Sequence, residues 1–127
     1  MEPVTHALTS LALGRAGLNK ITRAATPILL VSGLAADVDW ITRLGLAETF
    51  LRGHRTVTHS IVGTAMIGLL VGTAGWMLGR KYPKFAVKIG VAVFISAIGA
   101  SSHLFMDLLN GYGVKLLWPF SEQYYAW

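Results

Sequence analysis

Long apolar runs separated by short polar breaks make up this chain, and the breaks carry its character. From Ser60 to about Gly79 there is no charged residue, and twenty helical residues extend about 30 Å, the thickness of a bilayer's hydrocarbon core. A second run, Ile89 to Leu109, is interrupted only near its far end by Ser101, Ser102, His103 and Asp107. Two shorter runs come first, Ala7 to Leu18 and Ala24 to Ala36; the second contains Pro27, which a helix accepts in its first turn. The pattern predicts an all-α fold: a polytopic helical membrane bundle of about four apolar helices, one domain over residues 1–127. The first two runs form either a tight hairpin or short tilted spans. Gly68 and Gly72, then Gly75 and Gly79, are small-xxx-small pairs that permit close helix approach. Met1-Glu2-Pro3 lacks a basic n-region and Arg15 breaks the first apolar run, so the N-terminus is read as part of the fold rather than as a signal peptide.

Composition supports the membrane reading. Hydrophobic residues make up 54% of the chain and charged ones 13%, about half the charged fraction of roughly 25% usual in soluble proteins. The net charge of +5 comes without an aromatic-interleaved basic stripe or a nucleic-acid module, so no nucleic-acid partner is expected. Without cysteine there is no disulfide and no thiolate, and any metal must take nitrogen and oxygen ligands.

Charge then orients the bundle. If the four runs alternate in direction, Arg15, Lys20, Arg23, Arg80, Lys81, Lys84 and Lys88 lie on one side with no acidic residue among them. The positive-inside rule makes that side cytoplasmic. The opposite, extracytoplasmic side receives Glu2, Asp37, Asp39, Glu48, Asp107 and Glu122, with Arg43, Arg52, Arg55 and Lys115 as its basic residues. Trp118, Tyr124, Tyr125 and Trp127 read as an interfacial aromatic belt on that side.

The same alternation gathers the chemistry. All four histidines and all three aspartates fall in four clusters: Thr5-His6, Asp37-Val38-Asp39, His54-Arg55-Thr56-Val57-Thr58-His59-Ser60 and His103-Leu104-Phe105-Met106-Asp107. Ionisable groups in an apolar chain are costly unless paired or coordinated, so their convergence at one face points to a metal site. His103 and Asp107 are four apart and share a helical face; a histidine oriented by a carboxylate without metal is the plainer alternative. His54 and His59, about 140° apart on a helix, serve one site only if His54 lies in a loop and His59 begins the membrane helix, with Thr56 or Thr58 as N-cap. Arg55 is either an oxyanion clamp or a headgroup anchor. Asp37 and Asp39 are metal ligands, a base, or an ordinary Asx turn closing a helix. His6, alone on an apolar helix, is the weakest candidate ligand. No phosphate-binding Gly-rich loop with a following Lys-Ser/Thr and no G-x-S-x-G element is present.

The ordered clusters, followed by Tyr112-Gly113 and Trp118-Pro119-Phe120, resemble a bacterial inner-membrane family described as metal-dependent hydrolases, some of them linked to the LexA damage response. The likeness covers most of the chain, and H-R-x-x-T-H-S is its most specific element. It implies a multi-pass protein of the inner (cytoplasmic) membrane whose metal residues are Asp37, Asp39, His54, His59, His103 and Asp107. More distantly the order of clusters is similar to the zinc-dependent phospholipase C and P1 nuclease group, which implies phosphoester cleavage. That group uses further His and Glu ligands downstream, whereas here no histidine follows His103 and Glu122 is the only later acid besides Asp107. Members of the inner-membrane family usually continue past the Pro-Phe-Ser segment, so the stop at Trp127 is consistent with a C-terminal truncation.

The function expected from these readings is water-mediated hydrolysis of a phosphoester or lipid-like, amphiphilic substrate. A divalent cation, zinc first and manganese or magnesium next, would be held by the histidines and some of the aspartates. Asp39 or Asp37 would take the proton, Arg55 would steady developing negative charge, and Ser60 or Thr58 would orient the ligands. The alternatives are a non-enzymatic metal binder, a metal-transport protein, or a structural membrane subunit whose polar residues only tie helices together.

Overall fold

The computed structural model describes residues 3–38, 58–110 and 113–127. Among these are four helices, α1 (Pro3–Leu13), α2 (Ala25–Leu34), α3 (Ile61–Lys81) and α4 (Ile89–Leu108). No strand occurs among the described residues, only an isolated antiparallel pair between Val114 and Tyr125. The all-α expectation holds, but the expected number of spans does not. Of the described helices, α3 and α4, with 21 and 20 residues, are long and apolar enough to cross a membrane. α1 and α2 have 11 and 10 residues, which reach only about 15–17 Å, half a hydrocarbon core.

Local chemistry keeps the first two helices short. After α1 the chain passes through a wide turn at Gly14–Leu18, where Gly17 takes a φ of 150°, a conformation that side chains with a Cβ rarely adopt. The Thr26 hydroxyl then donates to Asn19 Oδ1 at 2.7 Å and Thr22 Oγ1 accepts from the Ala24 amide at 3.2 Å, fixing a hairpin. Pro27 falls in the first turn of α2, where its missing N–H leaves no bond unmade. The other end of α2 tightens into a 3-10 turn, Ala35–Val38, which carries Asp37.

α3 begins differently from the sequence expectation. Neither Thr56, which lies outside the described residues, nor Thr58 is the described cap. Ser60, with extended backbone, accepts the Gly63 amide at 3.0 Å through its hydroxyl, while Thr58 Oγ1 lies 3.0 Å from His59 Nδ1. His59 therefore precedes the helix instead of starting it, because the residue that accepts from an N3 amide must itself be outside helical conformation.

Small residues set the packing. A Cβ on Gly72 would lie 2.5 Å from Val93 Cα, and one on Gly68 3.2 Å from Ala97 Cα, so α3 and α4 approach backbone to backbone and antiparallel. Gly33 abuts Ser10 of α1, and Gly99 abuts Ser32 and Leu29 of α2; α2 consequently runs antiparallel to α1 and parallel to α4. Ala24, Ala25, Ile28, Leu29, Ala92 and Ile95 form the buried apolar core between α2 and α4. Outward, Met66, Leu69 and Leu70 of α3 and Phe94 of α4 stay exposed. Only 22% and 33% of the apolar windows of α3 and α4 are buried within the protein, which suits helices facing lipid better than core helices of a soluble domain.

This arrangement brings the starts of α1 and α3 and the finishes of α2 and α4 to one end. Residues 113–127 fold across that end: the Ile61 amide donates to the Leu116 carbonyl at 3.0 Å, and the Trp127 amide to the Leu108 carbonyl at 2.9 Å. One orphan donor of α3 and one orphan acceptor of α4 are thereby satisfied. At the other end Arg15, Lys20, Arg23, Arg80, Lys81, Lys84 and Lys88 are all exposed.

The backbone contact at Gly72 makes a direct test. Gly72→Leu should lower stability by about 1–3 kcal/mol through overpacking, read as a lower thermal midpoint by circular dichroism in detergent. Gly90→Ala, where an added Cβ meets nothing within 4 Å, should leave the midpoint unchanged. Equal midpoints for native protein and Gly72→Leu would refute the close α3–α4 approach.

Candidate functional site

Five of the residues singled out from sequence meet at the end closed by residues 113–127. α1 contributes His6, the turn after α2 Asp37, the segment before α3 His59, and the last turns of α4 His103 and Asp107. Asp39, His54 and Arg55 lie outside the described residues. His6, His59, His103 and Asp107 are buried and Asp37 is half-buried.

Asp107 is the hub. Its Oδ2 lies 3.1 Å from His59 Nε2 and 3.3 Å from His103 Nε2, and its Oδ1 lies 3.4 Å from His6 Nε2. The two imidazole nitrogens of His59 and His103 are 3.3 Å apart. The His6 ring stacks on that of His103, with centroids 3.8 Å apart and planes inclined by 23°. Asp37 stands slightly off, 3.8 Å from His103 Nε2 and 3.9 Å from His6 Nε2. The four-residue spacing of His103 and Asp107 does put both on one helical face. His6, the weakest candidate by sequence, sits in the middle of the cluster with Ser10 one turn behind it, both buried. Two polar residues four apart on a short apolar helix were the signal for that face.

A contributor that no side-chain pattern could reveal is the Gly33 carbonyl, 2.7 Å from His103 Nδ1. A carbonyl only accepts, so His103 Nδ1 carries the proton in this bond and, in a neutral ring, Nε2 presents a lone pair. That lone pair faces the carboxylates of Asp107 and Asp37 and the Nε2 of His59. Acceptor against acceptor in a buried site is repulsive unless a positive charge, a proton or a metal ion, lies among them. His6 Nε2 and Asp37 Oδ2 add two buried atoms without a hydrogen-bond partner among the described residues.

The spacing suits a small cation. Ligand atoms about 2.0–2.1 Å from a tetrahedral zinc are about 3.3 Å from one another, and the contacts around Asp107 run from 3.1 to 3.4 Å. Two overlapping triads, His6/His103/Asp107 and Asp37/His59/His103, each keep their ligand atoms within 4.8 Å. His103 belongs to both, so the donor set fits one ion or two neighbouring ions.

The tautomer is open to direct observation. In protein labelled with ¹⁵N-histidine, His103, assigned by comparison with His103→Gln, should appear with its proton on Nδ1. An Nε2–H ring at this position would remove the argument from the Gly33 carbonyl.

The YdjM inner membrane protein family model matches residues 1–127. The Bacillus subtilis (strain 168) protein YfhP is 25% identical over 139 aligned residues, covering 99% of this chain and 39% of its own length. Inner membrane protein YbcI of Escherichia coli (strain K12) is 29% identical over 127 aligned residues, 94% of this chain and 68% of that protein. The chain thus spans about two fifths of the first relative and about two thirds of the second. No solved structure matches it. With a full-length family match and two long lipid-compatible helices, the chain belongs to the YdjM inner membrane protein family.

Proposed function

We propose that this inner-membrane protein is a metal-dependent hydrolase whose ion is held by His6, His59, His103 and Asp107 and whose substrate is a phosphoester or another amphiphilic ester. The observation that carries the reading is the His103 ring: its proton is engaged by Gly33, and its remaining nitrogen faces two carboxylates and a second imidazole. A divalent cation, zinc first and manganese or magnesium next, relieves that opposition and uses the nitrogen and oxygen donors present.

Such an ion supplies Lewis acidity and activates water near neutral pH. The protein's own groups do the rest. Gly33 and Thr58 fix the rings of His103 and His59 through their Nδ1 atoms, an outer-shell arrangement that keeps Nε2 aimed inward. Asp37, at 3.8–3.9 Å, stands farther from the imidazoles than Asp107 does, and its Oδ2 has no hydrogen-bond partner among the described residues. It is therefore the carboxylate suited to accept a proton from the attacking water. Asp39, His54 and Arg55 follow or flank these residues in sequence and are proposed as a second carboxylate, a further ligand and an oxyanion clamp. The cluster's position where α3 begins and α4 ends suits a substrate with one end in lipid and one in water.

The cationic end of α3 and the cationic connections that follow α1 and α3 lie opposite the cluster, so the positive-inside rule orients the site toward the extracytoplasmic side.

Three measurements test these statements. Elemental analysis of detergent-purified protein should find near-stoichiometric zinc or manganese that falls in both His59→Ala and His103→Ala. Well-folded native protein that takes up neither metal on reconstitution would sink the proposal. With chromogenic phosphomonoesters and phosphodiesters as substrates, Asp37→Asn should keep its metal and lose about 10²-fold or more of turnover; unchanged turnover would dismiss Asp37 as the base. A reporter fused at Lys84 should read cytoplasmic, and an extracytoplasmic signal would reverse the orientation.

A further inference from the structure

α2 and α3 do not close on each other along their whole length. Between them runs a groove of about 490 Å³, far enough from the His/Asp cluster that none of its lining belongs to it. Its walls are Ile28 and Val31 on α2 and Leu70 and Ala74 on α3, and Tyr82 and Phe85 stand at its cationic end. Gly75 opens the space: a Cβ there would lie 2.9 Å from Ile28 Cγ1. The lining carries no charged residue, and in a membrane protein such a cleft is filled by something apolar.

The charges beside its mouth specify what. Lys81 Nζ lies 5.8 Å from the centroid of the Tyr82 ring, and Lys84 Nζ lies 5.8 Å from that of Phe85. These are the two aromatic residues of the groove lining, so two ammonium groups sit directly against its mouth. Arg23 precedes Ala24, which also lines the groove, and Arg80 lies over Trp76 at 5.3 Å. Arg23, Arg80, Lys81 and Lys84 are all exposed, and no acidic residue occurs in residues 15–23 or 80–88. A partner helix of another protein would need its own acids at this depth. An anionic phospholipid brings an acyl chain for the cleft and a phosphate for the ammonium groups in one molecule.

We infer that the α2–α3 groove is a binding site for an anionic phospholipid, its acyl chain between Ile28, Val31, Leu70 and Ala74 and its phosphate held by Lys81 and Lys84. The site is separate from the His/Asp cluster and does not depend on any hydrolytic activity. Each ammonium near the headgroup adds attraction for an anionic over a zwitterionic lipid, and the two ring contacts keep both side chains over the mouth instead of extended into water. The long α3 places this lipid about 30 Å from Ser60 along the membrane normal, in the leaflet opposite the cluster.

The test is native mass spectrometry of the full chain, purified in mild detergent and incubated with equimolar phosphatidylglycerol and phosphatidylcholine of the same acyl composition. The native protein should retain phosphatidylglycerol at least about fivefold more than phosphatidylcholine. Lys81→Gln/Lys84→Gln should abolish that preference while leaving helical content unchanged. Ala74→Phe, which fills the groove from an exposed position, should reduce retention of both lipids. Equal retention of the two lipids by native protein, a preference that survives the double lysine change, or a dimer that forms in place of lipid binding and is broken by Ala74→Phe would each overturn the inference.

Discussion

The buried carboxylate of Asp107 is the constraint to which the rest of the bundle answers. A lone charge at the end of an apolar helix is expensive, and one aspartate cannot be made cheap by its own helix beyond the single contact with His103. The fold surrounds it with imidazoles from three elements, at 3.1, 3.3 and 3.4 Å. Each of those elements must therefore end at the same height. α1 must start there, α4 must finish there, and the segment before α3 must cross it. The antiparallel order of the helices and the shortness of the hairpin follow from that shared requirement.

Close packing makes the convergence reachable. His103 touches the Gly33 carbonyl at 2.7 Å because nothing larger than hydrogen projects from Gly33 or Gly99 into the seam between α1, α2 and α4. Ser10 and Ser32 fill the same seam and are fully buried, small enough to let the helices meet and polar enough to leave Ser32 bonded to its own helix at Ile28. In lipid, where apolar contact between helices brings little advantage over contact with acyl chains, such small-residue seams and a few polar ties hold a bundle together. The site is thus as much a product of glycine and serine as of histidine and aspartate.

How far the sequence spoke depends on the length scale of each signal. The spans α3 and α4 were legible because uncharged runs of that length have few other uses, and their ends were found to within about two residues. The meeting of His6, Asp37, His59, His103 and Asp107 was legible from the alternation of the helices, while Asp39, His54 and Arg55 lie outside the described residues. His6 was undervalued because its partner surface, the ring of His103, is ninety-seven positions away. The cap of α3 was misassigned since three hydroxyl residues stand within five positions, Thr56, Thr58 and Ser60; only backbone geometry distinguishes the one that accepts from Gly63. Short apolar runs could be hairpin or span, and the choice fell to Gly17, whose φ of 150° turns the chain early. The α2–α3 groove has no sequence signature, because it is a space left by residues about forty positions apart or more.

The cluster's most distant members along the chain, His6 and Asp107, touch at 3.4 Å. During synthesis His6 reaches the membrane about a hundred residues before the carboxylate that faces it. The early hairpin of α1 and α2 must wait with only the long His6–Asp37 contact, at 3.9 Å, between its imidazole and its carboxylate. Its helices are half a bilayer deep, which lets both groups remain at the water boundary during that interval. Assembly of the site therefore waits until α4 is inserted and docked, and a chain interrupted before His103 would carry three of the four histidines with no assembled centre.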